Sequence, residues 1–394
     1  MVQKKRLGEI ALLQRGLTYS KGDEVPSSSK VVLRSNNIDL ESHSLDLSEL
    51  KYLREDFVIP EDRRVKKDSI FICMSNGSKQ HVGKVAFIDR DMDYAFGGFM
   101  GLIVPNPSVS AKYVFYACNS SSYRAFLSQI GNGIGITNLR FSDLEKFELP
   151  VPSIEDQKCI VDDLDLLTGI IDKKNTQLRD LDALAQSIFY ECFGDPYTND
   201  KKWQEALLES MVTDECTISY GIVQPGDGEE EGVPIVRPVD LLGTFVHDVG
   251  LKKTTKEISD SYKRTILKGN ELLLCVRGTT GVVSLAADDL TGCNVSRGIT
   301  PLEFNRENSR WFMFYQFKTA AVQNTISELT HGIALKGINM ADVRKLKMIQ
   351  PPYHIQKDFE DKVVAIDAQK ERIKESIKEL NSLLQSKMDG YFSN

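Results

Sequence analysis

The chain lacks any run of the ~18 consecutive apolar residues that a membrane-spanning helix requires, which argues against a membrane protein. Its basic opening, MVQKKRLGEIALLQRG, has no continuous apolar stretch and predicts no signal peptide. The seven cysteines stand singly at 73, 118, 159, 192, 216, 275 and 293, with no CxxC pair. That pattern argues against a disulfide framework and a zinc site and predicts a reducing, cytoplasmic setting. The five histidines show no metal-ligand spacing, so no metal is expected. No GxxxxGK[ST] phosphate loop appears, which argues against ATP binding. A glycine-rich strand–turn–helix for S-adenosylmethionine, a GxSxG elbow and a recognisable nuclease carboxylate cluster are missing too. The acidic turn GDGEEEG (226–232) resembles neither a metal site nor a phosphate loop.

An excess of positive charge is also missing. The net charge of −7 argues, taken alone, against a nucleic-acid partner. Its distribution is more informative. Residues 1–150 carry 20 basic and 18 acidic side chains, whereas 151–196 carry 4 and 10. Residues 197–349 carry 18 and 20, and 350–394 carry 7 and 8. The acidity is concentrated in one short segment, and a positive face remains available on the first large one.

What the chain does have is a repeat. A length of 394 residues suits roughly two to three domains, and 41% hydrophobic residues can build ordinary cores. Shifting the sequence by 199 residues brings 131–193 into gap-free register with 330–392, with 13 of 63 positions identical. Identities include Asp143/Asp342, Pro152/Pro351, Gln157/Gln356, Leu181/Leu380, Gln186/Gln385 and Phe193/Phe392. In the first copy Ile160, Leu164, Leu167, Ile171, Leu178, Leu181 and Ile188 follow heptad spacing, with Lys174 and Ala185 in weak slots. In the second, Phe359, Val363, Ile366, Ile373, Ile377, Leu380 and Leu384 keep the same phase, interrupted by Lys370 and Lys387. A seam of period 3.5 lays a narrow stripe on another helix. Two long helices of equal length therefore predict pairing with each other, against the alternative that each packs only on its own domain. Some 35 residues give a rod of roughly 50 Å. Gly194-Asp195-Pro196 is a stop signal for the first.

The regions between correspond more loosely. VVLRSNNIDL (31–40) echoes VPIVRPVDLL (233–242), and KKDSIFICMSNGS (66–78) echoes LKGNELLLCVRGT (267–279). These read as buried strands followed by polar glycine-containing turns. YVFYACNS (113–120) and WFMFYQFK (311–318) read as aromatic-rich helix.

This layout, with ELPVPSIEDQKCIVDDLDLL and LDALAQSIFYECFGD, resembles the specificity subunit of type I restriction–modification systems along the whole chain. The family pattern is an extended P-L-P-P-L-x-E-Q segment leading into a helix that ends near L-x-x-x-F-x-x-x-F-G. The first copy keeps Leu149, Pro150, Pro152, Ile154, Gln157, Leu184, Ile188, Phe193 and Gly194, with Asp156 in place of the Glu. The second keeps Ile349, Pro351, Pro352 and Gln356, with Ile355 at the Glu position. The resemblance implies an α/β (α+β) fold with a pseudo-two-fold internal repeat. Two target recognition domains, 1–150 and 196–349, alternate with spacer helices at 151–195 and 350–394 that pack as an antiparallel coiled coil. It implies a non-catalytic DNA-binding subunit in which each domain reads half of a bipartite, asymmetric double-stranded site. Two methylation subunits are the expected partners, and two restriction subunits can join them. S-adenosylmethionine, Mg and ATP are expected on those partners, no cofactor on this chain, and no membrane. A rod of this length suits half-sites about one DNA turn apart, ~34–36 Å. Phosphates would repel the acidic first helix, so its expected contacts are with protein.

Base readers need polar side chains on loops and strand ends. In the first domain the candidates are Arg34, Asn36 and Asn37 from RSNN, and Ser75, Asn76, Ser78, Lys79 and Gln80 from SNGSKQH. In the second they are Arg237, then Arg277, Thr279 and Thr280 from RGTT, then Asn294 and Arg297 from NVSRG. GNGIGITN (131–138) and THGIALKGIN (330–339) could approach a phosphate. The plainer reading of each is a solvated turn, or a side chain bonded within its own loop. Trp203 and Trp311 could stack on bases but fit packing better. The competing readings are a methyltransferase or nuclease in its own right, and a scaffold without DNA reading. Gln350-Pro351-Pro352-Tyr353 nearly matches the Asn/Asp-Pro-Pro-Tyr motif of DNA amino-methyltransferases. The repeat aligns it with Val151-Pro152-Ser153-Ile154, so it reads as a stiff joint leading into a helix.

Overall fold

A computed structural model of the protein describes residues 2–40, 42–130, 137–226, 231–332 and 336–393. The chain divides into two compact units, Met1–Asn175 with Glu375–Asn394, and Thr176–Lys374. Each unit takes a globular part and one half of each long helix.

In the first unit, one four-stranded sheet runs Ala11–Arg15, Met100–Pro105, Ser69–Cys73, Val85–Ile88, with every neighbour antiparallel. A second runs Glu24–Val25, Lys51–Leu53, Lys30–Leu33, Tyr94–Phe96, the last pair parallel. Ser69–Cys73 shows why an uninterrupted apolar run makes a strand here. Successive side chains point to opposite faces, so Phe71 and Cys73 pack with Leu33 and Phe96 of the second sheet. Ile70 and Ile72 pack on the other face with Tyr113, Val114 and the long helices. The second unit repeats this logic in Leu272–Cys275: Leu272 and Leu274 join the core that holds the long helices, and Leu273 and Cys275 the other. Its sheets run Phe245–Val246, Val283–Ala286, Leu272–Cys275, Ile299–Leu302, and Lys252–Thr254, Val233–Val236, Asn294–Val295. In each unit two terminal strands pair antiparallel, Lys4–Arg6 with Glu148–Pro150 and Gln204–Leu207 with Lys347–Gln350.

Both long helices are 40 residues, Ile154–Phe193 and Tyr353–Phe392, in register with the 199-residue repeat. The first stops where Gly194 takes φ +73° and its N–H returns to the Tyr190 carbonyl. That left-handed cap favours glycine, and a Cβ there would lie 2.2 Å from Asp200 Oδ1. All fourteen seam residues are buried or half-buried. The pairing runs antiparallel within each unit. Asp163 accepts from Lys387 Nζ at 2.7 Å and Tyr391 OH at 2.8 Å in the first. Asp182 accepts from Lys370 Nζ at 2.6 Å in the second. The Lys387 and Tyr391 hydrogen bonds hold the Asp163 carboxyl below the usual range. Their contribution is present above the ordinary carboxylate range and fades as pH falls through the lowered value.

The glutamine common to both copies has one structural task. Gln157 Oε1 accepts from Ser110 N at 2.9 Å, and its Nε2 donates to the Pro152 carbonyl at 2.9 Å. Gln356 does the same with Ser309 N, 2.9 Å, and the Pro351 carbonyl, 2.7 Å. Ser110 and Ser309 are the N-caps of Ala111–Ala117 and Arg310–Phe317. Each glutamine thus ties the start of a long helix to the start of the helix packed beside it. Gln157→Ala or Gln356→Ala leaves a serine N–H and a carbonyl, half-buried in the first unit and buried in the second, without their partner. A stability loss of about 1–3 kcal/mol is expected, read as a lowered urea midpoint.

The near-motif at 350–353 is a joint, as the repeat indicates. Gln350 ends a strand and donates to Asn308, Pro351 is the Gln356 acceptor, and Tyr353 begins the helix.

Candidate nucleic-acid interface

In the first unit the two polar loops chosen from sequence meet. Asn76 Nδ2 donates to Ser35 Oγ at 2.7 Å, tying the 75–81 turn to the 34–37 turn. Ser75 in turn pairs with Asn138 and donates from Oγ to the Thr137 carbonyl. Between these loops lies an open cleft of about 970 Å3, with Tyr19, Arg34, Asn36, Lys51, Asn76 and Phe99 among its lining residues. Beyond Asn76, Gly77 and Phe99 a second hollow continues past Arg15 and Arg140. Arg34 is half-buried, and its Nε has no hydrogen-bond partner among the described residues. Burial raises the Tyr19 phenol, while the charge of Arg34 pulls it down. Asn36 is exposed and donates to the Glu49 carbonyl at 3.3 Å. Ser78, Lys79 and Gln80 are exposed on the turn but do not line the cleft.

Asn37 is a correction. It is 1% exposed, takes the Arg34 N–H on Oδ1, and donates to the Asp46 and Glu49 carbonyls. It closes a one-turn helix at 35–37 and has no polar atom left for a base.

In the second unit the matching elements converge as well. A Cβ on Gly298 would lie 2.5 Å from Pro238 Cγ and 3.7 Å from the Arg277 carbonyl, placing the three turns side by side. Arg237 forks onto Asp240, Nε to Oδ2 at 3.1 Å and Nη2 to Oδ1 at 2.9 Å. That hydrogen bonding raises the guanidinium pKa further. Its fork is already filled, unlike that of Arg34. Arg277 is half-buried, its guanidinium 5.3 Å from the Tyr220 ring centroid, and its Nε has no hydrogen-bond partner among the described residues. Thr279 is exposed, and Thr280 is half-buried against Thr330 Oγ1 at 3.2 Å. Arg297 is exposed. Asn294 is the second correction. Fully buried, it accepts from Thr265 and the Val295 N–H and donates to Ser259 and the Tyr262 carbonyl.

Trp311 is core, and half-buried Trp203 donates from Nε1 to the Phe193 carbonyl. Parts of the glycine-rich loops (131–136 and 333–335) and of the acidic turn (227–230) lie outside the described residues. Among the described residues no cluster of His, Cys, Asp and Glu could hold a metal, and no helix is long and apolar enough to cross a membrane. Reasoning from sequence missed Phe99, Arg15, Arg140 and Tyr19. The one signal for Phe99 is its place in FGGF, directly after two glycines.

Known proteins place this geometry. The chain is 23% identical over 414 residues to the StySPI type I restriction enzyme specificity subunit of Salmonella potsdam, covering 96% of this chain and 85% of that one. It is 21% identical to the EcoKI specificity subunit of Escherichia coli K12, with the same coverage. To the putative MjaX specificity subunit of Methanocaldococcus jannaschii it is 22% identical, covering 95% and 90%. Its fold matches a chain from a solved type I restriction–modification system, TM-score 0.54 at 17% identity, over 98% of this chain and 96% of that one. It also matches the type I S subunit of M. genitalium, TM-score 0.51 at 15% identity, over 100% and 96%. The model of the type I restriction modification DNA specificity domain matches residues 1–181 and 224–382, well over half of the sequence, and the chain belongs to that family.

Proposed function

We propose that this chain is the DNA-reading, non-catalytic subunit of a type I restriction–modification assembly, each globular part reading one half of a bipartite, asymmetric double-stranded site. The observation that carries this reading is the duplication of one arrangement. In both units a turn opening on an arginine, 34–37 or 237–240, lies beside a second polar turn, 75–81 or 277–280. A protein that reads two different half-sites needs two copies of one scaffold with different side chains on it. Ser75/Arg277 is such a position, whereas Arg34 and Arg237 keep one residue type but differ in partner, Arg237 alone being forked onto Asp240. The long helices set the spacing and dock two methylation subunits, and two restriction subunits complete the assembly. The methyl donor, Mg and ATP belong to those partners, and the assembly works in the cytoplasm.

Sequencing the methylated bases of cells with and without the gene tests the reading. Loss of one split adenine-methylation motif is the expected result, and an unchanged methylome overturns it. A sharper prediction follows for one half. Arg34→Ala with Asn76→Ala should cost about 1–3 kcal/mol of discrimination per lost base contact at one half-site and leave the other intact. Competition binding of the chain with its methylation subunit checks this, using duplexes altered in one half at a time.

A further inference from the structure

Phe99 stands out on the reading face of the first unit. Its ring is 73% exposed although a large apolar side chain gains by burial. The backbone beneath it is pinned. The Phe99 carbonyl accepts from Met74 N at 2.9 Å and Ser75 N at 3.1 Å, and Met100 N returns to the Gly97 carbonyl at 2.8 Å. A rigid turn therefore holds a bare aromatic ring on the ridge between two hollows that contain Arg15, Arg34 and Arg140. A ring flanked by cations suits a polyanion with apolar flat surfaces inside it, which describes a DNA duplex.

Hydrogen bonding identifies the equivalent position in the second unit. Gly97 N donates to Leu33 O and Ser296 N to Val236 O, while Met74 N donates to Phe99 O and Val276 N to Gly298 O. Phe99 thus corresponds to Gly298, and Gly98 to the exposed Arg297. On this turn one unit presents a ring and the other, one residue earlier, a guanidinium.

We infer that Phe99 is an apolar wedge that enters the base stack of the half-site read by the first unit, so that this unit selects a deformable base step. Arg297, one residue earlier in the matching turn of the second unit, selects by hydrogen bonding instead. The inference rests on the DNA-reading role proposed above. Apolar wedges partly unstack the step they enter and favour steps that unstack easily.

The experiment uses the full chain with its methylation subunit and duplexes carrying the methylated motif, with 2-aminopurine substituted position by position. Wild type should raise the fluorescence at one step of one half-site. Phe99→Ala should abolish that rise and weaken cognate binding roughly 10- to 100-fold. Its affinity for a scrambled duplex, its salt dependence and its melting temperature should stay unchanged. Phe99→Trp should restore the signal. If Phe99→Ala binds the cognate duplex like wild type, or loses cognate and scrambled binding equally, the wedge is refuted while DNA reading stands. If wild type shows no preference for the motif, both fall.

Discussion

Phe193→Ala should destabilise the second unit by about 3–5 kcal/mol. Phe193 is fully buried at the end of the first long helix, where three elements meet. Its ring centroid lies 5.1 Å from Phe189 on the same helix, 4.7 Å from Phe312 in the globular part and 5.2 Å from Phe359 on the second long helix. Removing it opens a cavity among rings that cannot all collapse inward, and it forfeits edge contacts of about 0.5–1.5 kcal/mol each. The equivalent residue of the first unit, Phe392, has one such neighbour, Tyr113 at 5.0 Å. Phe392→Ala should therefore cost less than Phe193→Ala. Denaturant unfolding followed by a probe in each unit separates the two effects. A Phe193→Ala loss below 1 kcal/mol, or a larger loss for Phe392→Ala, would refute this account of the cluster.

The same residues show what sequence could and could not deliver. Phe193 and Phe392 share a repeat position, and the heptad phase placed both long helices, because period and register are local properties of the chain. The seam did not report direction, since a 3.5-residue stripe is the same read either way. Direction emerges from partners far apart in sequence, Asp163 with Lys387 and Asp182 with Lys370. For the same reason the sharing of each long helix between the units was hidden.

Candidate readers were harder still. Asn36 and Asn37 are chemically alike and adjacent, yet one is exposed and the other closes a turn against carbonyls 9 and 12 residues on. Asn294 is satisfied by Thr265 and Ser259, 29 and 35 residues away in sequence. Residue type picks out loops where polar groups gather. Burial then decided which of those groups are free, and burial is a tertiary property. Phe99 escaped for the opposite reason: an apolar residue beside a strand reads as core until its exposure is seen.

Lys370 carries the last prediction. By phase it interrupts the apolar seam, and its repeat equivalent in the first copy is the buried Ile171. It is only 6% exposed, with Nζ 2.6 Å from Asp182 and 3.9 Å from Asp367. Asp367 is equally buried, and its Oδ1 has no hydrogen-bond partner among the described residues. Removing the cation strands that carboxylate in the seam, so Lys370→Ala should cost about 3–5 kcal/mol. The Asp182 side chain is 49% exposed, and water can replace much of what it offers. Asp182→Ala should thus cost no more than about 1 kcal/mol. Replacing both buried charges, Lys370→Met with Asp367→Leu, should recover most of the loss, because an apolar pair of similar volume serves the seam as well as ions do. Urea midpoints of the three variants decide it. A double variant no more stable than Lys370→Ala would show that the charges themselves stabilise the seam, because methionine keeps the apolar stem that alanine removes. The expected recovery would show instead that the buried charges at this point of the seam add no net stability over an apolar pair.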